Sequence, residues 1–252
     1  MQQMQGCLLK RVEGVLEVAK AKQNQDCDSV FAVVGPERSG KSMLMLHMME
    51  YLEAEAEWIS MDAIESMDKI GIIPHKGCHQ IDEAISGAMT REAMSKQNSN
   101  LIRVFSTIGK KNLIVFLGIP DFFLLETYLR KFRLAGLFWV YKRGKVAFFG
   151  RKAIKKICLY GEKSHEIKGA RPYFYDTYPD YKGHMRAKYD KIEEAWKNSK
   201  WVEKKKEDDP KAVKIHRMLL DRRHVYSIED IAKELKVSTQ YIHVVKKKIL
   251  NE

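Results

Sequence analysis

Apolar residues fall along the chain in two rhythms. Short continuous runs, Ser29–Val34 and Asn112–Gly118, read as buried parallel strands, because a strand covered on both faces needs no polar alternation. Glu57–Met61, ending at Asp62, predicts another strand. Residues 77–81 make a poor strand by hydropathy, with Cys78, His79 and Gln80, yet they run into Asp82-Glu83. Leu137–Tyr141 and Val146–Phe149 flank Lys142-Arg143-Gly144-Lys145, the pattern of an antiparallel hairpin. The second rhythm is helical. Leu8, Leu9, Val12, Val15, Leu16 and Val18 predict an amphipathic leading helix over residues 7–23. Met43–Leu52, residues 84–109 (weakened only by Gly87 and Gly109) and Phe122–Phe132 also read as helix. Alternating strands and helices predict an α/β fold, a parallel sheet flanked by helices with an antiparallel edge hairpin.

Between the first strand and its helix lies Gly35-Pro36-Glu37-Arg38-Ser39-Gly40-Lys41-Ser42. It fits G-x-x-x-x-G-K-[ST], the phosphate-binding P-loop, in the strand–turn–helix context that the motif requires. Backbone N–H groups of such a turn converge on phosphate oxygens, and the helix adds its positive N-terminal end. Lys41 would reach the β- and γ-phosphates of ATP, and the Ser42 hydroxyl would sit on Mg²⁺. A second, acidic strand end must complete the metal shell. Asp121 follows the most apolar later strand, but Gly118-Ile119-Pro120 intervene and no glutamate follows. Asp82-Glu83 suit the chemistry better: Asp82 orients metal-bound water and Glu83 acts as general base on the attacking water. The same acids would also suit a helix start.

This arrangement resembles the additional-strand class of P-loop ATPases, and within it the FtsK–HerA translocases and the zonular occludens toxin-type ATPases of phages. The resemblance covers about residues 28–150. It implies that strand 112–118 lies between the P-loop strand and the acidic strand. It also implies a ring of subunits in which an arginine completes a neighbour's site; Arg91, Arg103, Arg130 and Arg133 are the candidates, and a plain surface role fits each of them too. One position departs. The polar sensor at the tip of the intervening strand is replaced by Gly118-Ile119-Pro120-Asp121.

Composition sharpens the second half. The chain of 252 residues carries a net charge of +12. Residues 1–150 hold 19 Lys/Arg and 17 Asp/Glu, whereas residues 151–252 hold 26 and 16, so +10 of the surplus lies in the C-terminal part. That asymmetry suits either nucleic acid or a solvated basic helical surface. Residues 170–183 contain five tyrosine or phenylalanine rings and two prolines. They read as an extended strap docking its rings on the domain, or as a platform for exposed bases with Arg171, Lys182 and Arg186 on the backbone. Residues 184–206 predict a charged helix and 204–210 a linker.

Residues 227–250 closely resemble a helix-turn-helix, with a preceding helix over about 211–222. Ser227 caps the first helix, with Asp230 in a capping-box place. Ile228, Ile231, Ala232 and Leu235 face inward, Lys236-Val237-Ser238 turns, and Ile242, Val245 and Ile249 face inward on the second helix. Thr239, Gln240 and His243 are left for base edges, and Lys246, Lys247 and Lys248 for phosphates. Such units also mediate protein contacts.

The chain thus divides into a leading helix (1–27), an ATPase core (28–160), a strap, charged helix and linker (161–210) and a small all-α helix-turn-helix domain (211–252). Cys7, Cys27, Cys78 and Cys158 form no C-x-x-C pair and suit free thiols in the cytoplasm. No apolar run is long enough to span a membrane, and the N-terminus lacks a signal-peptide pattern. The expected function is a DNA-directed ATPase that moves, packages or replicates DNA as a homo-oligomer. The alternatives are an ATP-switched DNA-binding regulator or partition protein and, less suited to the Asp82-Glu83 pair, a small-molecule kinase.

Overall fold

The computed structural model describes residues 10–85, 91–207 and 227–243. The chain divides into two compact units, Met1–Ile192 and Glu193–Glu252. The aromatic strap therefore belongs with the first unit, and the first turns of the charged helix go with it.

The first unit is built on a seven-stranded sheet. In chain order its helices and strands are α1 (Lys10–Asn24), β1 (Ser29–Val34), α2 (Lys41–Tyr51), β2 (Ile59–Ser60), α3 (Ala63–Lys69), β3 (Cys78–Ile81), α4 (Arg91–Ile108), β4 (Ile114–Ile119), β5 (Leu134–Lys142), β6 (Lys145–Gly150), α5 (Arg151–Gly161), β7 (Phe174–Thr177) and the first turns of α6 (Arg186–Glu207), a helix that the boundary at Ile192 divides. The sheet order is β2-β3-β4-β1-β5-β6-β7. From β2 to β5 all neighbours run parallel, and β6 and β7 add on antiparallel. β4 lies between β1 and β3, the place that the order of motifs along the chain implies.

Strand alternation splits the core in two. Val30, Ala32 and Val34 of β1 point to one face with Val115, Leu117 and Ile119 of β4, where α4 and α5 cover them with Leu101, Val104, Ile108, Ile154 and Ile157. Phe31 and Val33 point to the other face, where Val12 and Leu16 of α1 and Leu44, Met45 and Met48 of α2 close over them. On α1 the buried stripe is Val12, Leu16, Ala19 and Gln23, whereas Val18 is 58% exposed. Leu8 and Leu9 lie outside the described residues.

One expectation changes, one is met over its described part, and one helix is new. Phe122–Phe132 is not one helix but a 3-10 turn (Phe122–Leu124), an extended Leu125 and a π-helical stretch (Leu129–Arg133). Asn98 of α4 explains the break: its side-chain amide donates to Leu124 O at 3.2 Å and accepts from Glu126 N at 2.9 Å, replacing helical bonds. Residues 84–109 are helical from Arg91, with 86–90 outside the described residues. α5 carries a buried stripe of Ala153, Ile154, Ile157 and Cys158, a helical spacing that the hairpin before it obscured.

β3, polar on paper, is fully buried because its histidine is satisfied. His79 Nδ1 donates to Trp58 O at 2.6 Å, since a carbonyl can only accept. Nε2 therefore accepts from the Ser60 and Ser66 hydroxyls at 3.1 and 2.7 Å. Burial outweighs the Trp58 bond and pulls His79 down to about 4 from 6.5. Protonation thus favours the unfolded chain: stability is full above about pH 6.5 and declines as pH falls toward 4, by about 3 kcal/mol in all. The melting temperature is expected to drop through that window. His79→Gln should flatten this part of the pH dependence, and an equally steep profile in the variant would contradict the assignment.

Candidate functional site

The loop from Gly35 to Gly40 is fixed at both ends by neighbouring strands. Gly35 N donates to Ile119 O at 3.3 Å, and a Cβ on Gly35 would lie 2.4 Å from Val140 O. No larger residue fits there without moving β5. The loop closes on itself through Ser39 N to Pro36 O at 3.3 Å and turns at Gly40, with φ +96°. Gly40 stands as N-cap of α2 without a side-chain cap, so the first-turn N–H groups of that helix meet the loop's concave side.

Lys41 Nζ donates to Gly35 O and Pro36 O at 2.8 and 2.9 Å. Burial lowers its pKa, and Asp82, Glu83 and Glu37 pull the other way, so the ammonium already feels three carboxylates around the loop. Ser42 Oγ lies 3.0 Å from both carboxylate oxygens of Asp82. Asp82 is 5% exposed, and the Tyr189 phenol at the start of α6 also donates to its Oδ2. The acidic strand end is laced by backbone bonds: Asp82 N to Ser60 O and Glu83 N to Met61 O at 2.9 Å, and Ala84 N to Gly118 O at 3.1 Å. Glu83 is half-buried beside them.

Lys41, Ser42, Asp82 and Glu83 are thus brought together from residues far apart in the chain. Glu37 and Arg38 are exposed on the loop, where Arg38 adopts φ +58°. Among the described residues, Ser39 Oγ in the loop and the Gln80 amide one pleat before Asp82 are buried with no hydrogen-bond partner. Leaving such groups unpaired costs about 1–3 kcal/mol each, so a polar ligand at the loop would stabilise them. A phosphate group with Mg²⁺ fits this donor set: an unpaired hydroxyl, an ammonium and an uncapped helix end for the anion, and a hydroxyl with a carboxylate for the cation. Among the described residues no group of three or more His, Cys, Asp or Glu converges on one point, and Mg²⁺ on a phosphate needs none.

The four arginines divide. Arg130 is 4% exposed and forks onto Glu162 at 2.8 and 2.7 Å, with Leu125 O and Thr127 as further acceptors. It is consumed inside its own chain and leaves the candidate list. Arg133 pairs with Asp28 at 2.5 Å just before β1 and donates to Phe105 O at 3.2 Å; an arginine that completes a neighbour's site need not lie near its own loop, so it stays on the list. Arg103 is exposed on α4, and of Arg91 only its place at the head of α4 is described. Asp121 caps the 3-10 turn through Phe123 N at 2.9 Å and lies 3.6 Å from His165 Nδ1.

Three site residues carried no sequence signal of their own. Tyr178 donates to Gly40 O at 3.0 Å, and burial raises its pKa and keeps it a donor. Tyr189 reaches Asp82 from a helix that reads only as charged. Arg143, at the hairpin tip beside Gly40, forks onto Asp180 at 3.1 Å. The aromatic-rich composition of 170–183 was the one available hint to Tyr178.

In the second unit, Ser227 and Asp230 form a reciprocal capping box at the head of α7 (Ile228–Leu235). The helix ends at Lys236, which takes φ +50°, the left-handed conformation usually left to glycine. Ser238 then accepts from Tyr241 N at 3.2 Å and starts the helical residues 239–243. Ile231 and Ile242 are fully buried, whereas Thr239, Gln240 and His243 are exposed. Lys246, Lys247 and Lys248, with the helix expected over 211–222, lie outside the described residues.

No protein-family model matches the chain, and no curated protein matches it significantly. Among the described residues no helix is long and apolar enough to cross a membrane.

One contact tests the local geometry. A Cβ on Gly118 would lie 2.1 Å from Asp82 O. Gly118→Ala should lower stability by about 1–3 kcal/mol in urea unfolding, as overpacking does. An unchanged midpoint would show that β4 can yield there.

Proposed function

We propose that the chain is a DNA-directed ATPase that hydrolyses MgATP and couples the cycle, as an oligomer, to moving or remodelling DNA. The observation that carries the reading is the Ser42–Asp82 contact at 3.0 Å beside the Lys41 ammonium, with Glu83 next in sequence. In this reading Ser42 and Asp82 hold Mg²⁺, and the loop N–H groups with Lys41 hold the β- and γ-phosphates. Bound Mg²⁺ supplies positive charge against the phosphate oxygens. Glu83 takes the proton of the attacking water as general base. The position of β4 between β1 and β3 supports the additional-strand resemblance. The capped helix, left-handed turn and second helix over 227–243 support a helix-turn-helix that presents Thr239, Gln240 and His243 to DNA, backed by the +10 surplus of residues 151–252.

A second reading, an ATP-switched DNA-binding regulator, is favoured by one feature. The tip of β4 is Gly118-Ile119, with no polar side chain to sense the γ-phosphate, and Asp121 is engaged as a cap.

Phosphate release with and without DNA separates the two. A motor turns over faster with DNA, and Glu83→Gln keeps ATP affinity while losing at least about 100-fold in turnover. Normal turnover in that variant would remove Glu83 from the base role. ATP-dependent DNA binding with negligible turnover in the unaltered protein would establish the regulator instead. Paired substitution Gln240→Ala, His243→Ala should weaken duplex binding about tenfold while leaving turnover without DNA in place.

A further inference from the structure

Half of the basic surplus of the C-terminal part is packed into residues 151–173, before the second unit begins. Residues 151–173 hold seven Lys/Arg and two Asp/Glu, a balance of +5 out of the +10 for residues 151–252. Both carboxylates are already committed, Glu162 to Arg130 and Glu166 to Lys168 at 2.9 Å. Lys152, Lys155, Lys156 and Arg171 are exposed, and among the described residues no carboxylate pairs with them. Like charges gathered without counter-charges repel, which an anion would relieve.

These cations are not scattered. Lys152, Lys156 and Arg171 line one groove of about 630 Å³, between the first turns of α5 and the segment 169–173, with Ala153, Gly169, Ala170 and Tyr173 as its other walls. No acidic side chain lines it. Tyr173 is 69% exposed, and its ring lies over Gly150, where a Cβ would come within 2.9 Å. Downstream, Tyr175 is 58% exposed on edge strand β7 and meets Tyr141 edge-on at 5.9 Å. Phe174 between them stacks inward on Phe148 at 5.3 Å, which anchors the strand and leaves its tyrosines outside.

We propose that this groove binds a single strand of nucleic acid, with phosphates on Lys152, Lys156 and Arg171 and a base stacked on Tyr173. Cations alone would suit any polyanion. The exposed ring beside them selects an unpaired base, because a duplex keeps its base faces inside its own stack. The site lies wholly in the first unit and does not depend on nucleotide hydrolysis.

The test is anisotropy of a labelled oligo-dT with the full-length protein, without ATP, across a salt series. The triple variant Lys152→Ala, Lys156→Ala, Arg171→Ala should lose at least tenfold in affinity. Its salt dependence should flatten by about 2 in log–log slope, from about 0.7 per phosphate contact. Tyr173→Ala should weaken binding about tenfold with the slope unchanged, and Tyr173→Phe should bind normally. The proposal is overturned if the unaltered protein does not bind oligo-dT or if the groove variant binds it equally well. It is also overturned if duplex affinity falls in the same proportion, or if millimolar inorganic phosphate displaces the oligonucleotide at constant ionic strength. ATP turnover is not among the readouts, so these outcomes are independent of the ATPase reading.

Discussion

A carboxylate taken out of water needs donors around it, and Asp82 has them. Ser42 from α2 and Tyr189 from α6 both donate to it, while the backbone of its own strand end is tied to Ser60 and Met61 on one side and Gly118 on the other. The loop helix, the acidic strand and the helix leaving the unit are thereby referred to one side chain. A cation arriving at Ser42 and Asp82 would redistribute the hydrogen bonds that Tyr189 shares, so α6 is the element placed to register it. The proposed ATPase chemistry depends on this meeting point more than on the glycine loop alone.

What was legible in the sequence follows the kind of force at each place. β1 and β4 are continuous apolar runs buried on both faces, and their bounds agree with the reading to within two residues. The juxtaposition of Lys41 and Ser42 with Asp82 and Glu83 was also readable, because a glycine turn that opens a helix with Lys-Ser calls for acidic residues at a nearby strand end. β3 was faint because its burial rests on His79 hydrogen bonds rather than apolar side chains. The broken crossover at 122–133 was invisible because Asn98, in another element, satisfies the backbone that a helix would have used. Arg130 looked equivalent to Arg91, Arg103 and Arg133 until its partner Glu162 was in place. Tyr189 had no local signature at all; only the tertiary path of α6 gives it a role.

The strap at 170–183 divides its rings between two surroundings. Tyr178 and Tyr181 are 6% and 2% exposed and belong to the core that backs the loop helix. Tyr173 and Tyr175 stay outside on the edge of the sheet. A segment that extends the sheet by one strand therefore also supplies a lid contact to Gly40 and an exposed aromatic rim.

The loop at 35–40 has a consequence for the order of events during synthesis. It is made before Ile119, Val140 and Tyr178, the residues that hold its shape. β1 takes its two neighbours from strands that follow it by about eighty residues or more. A nascent chain released at residue 110 would hold the whole glycine motif and none of the surfaces that shape it. Any affinity of this loop for phosphate should thus emerge only after the hairpin and the strap have followed it and closed over it.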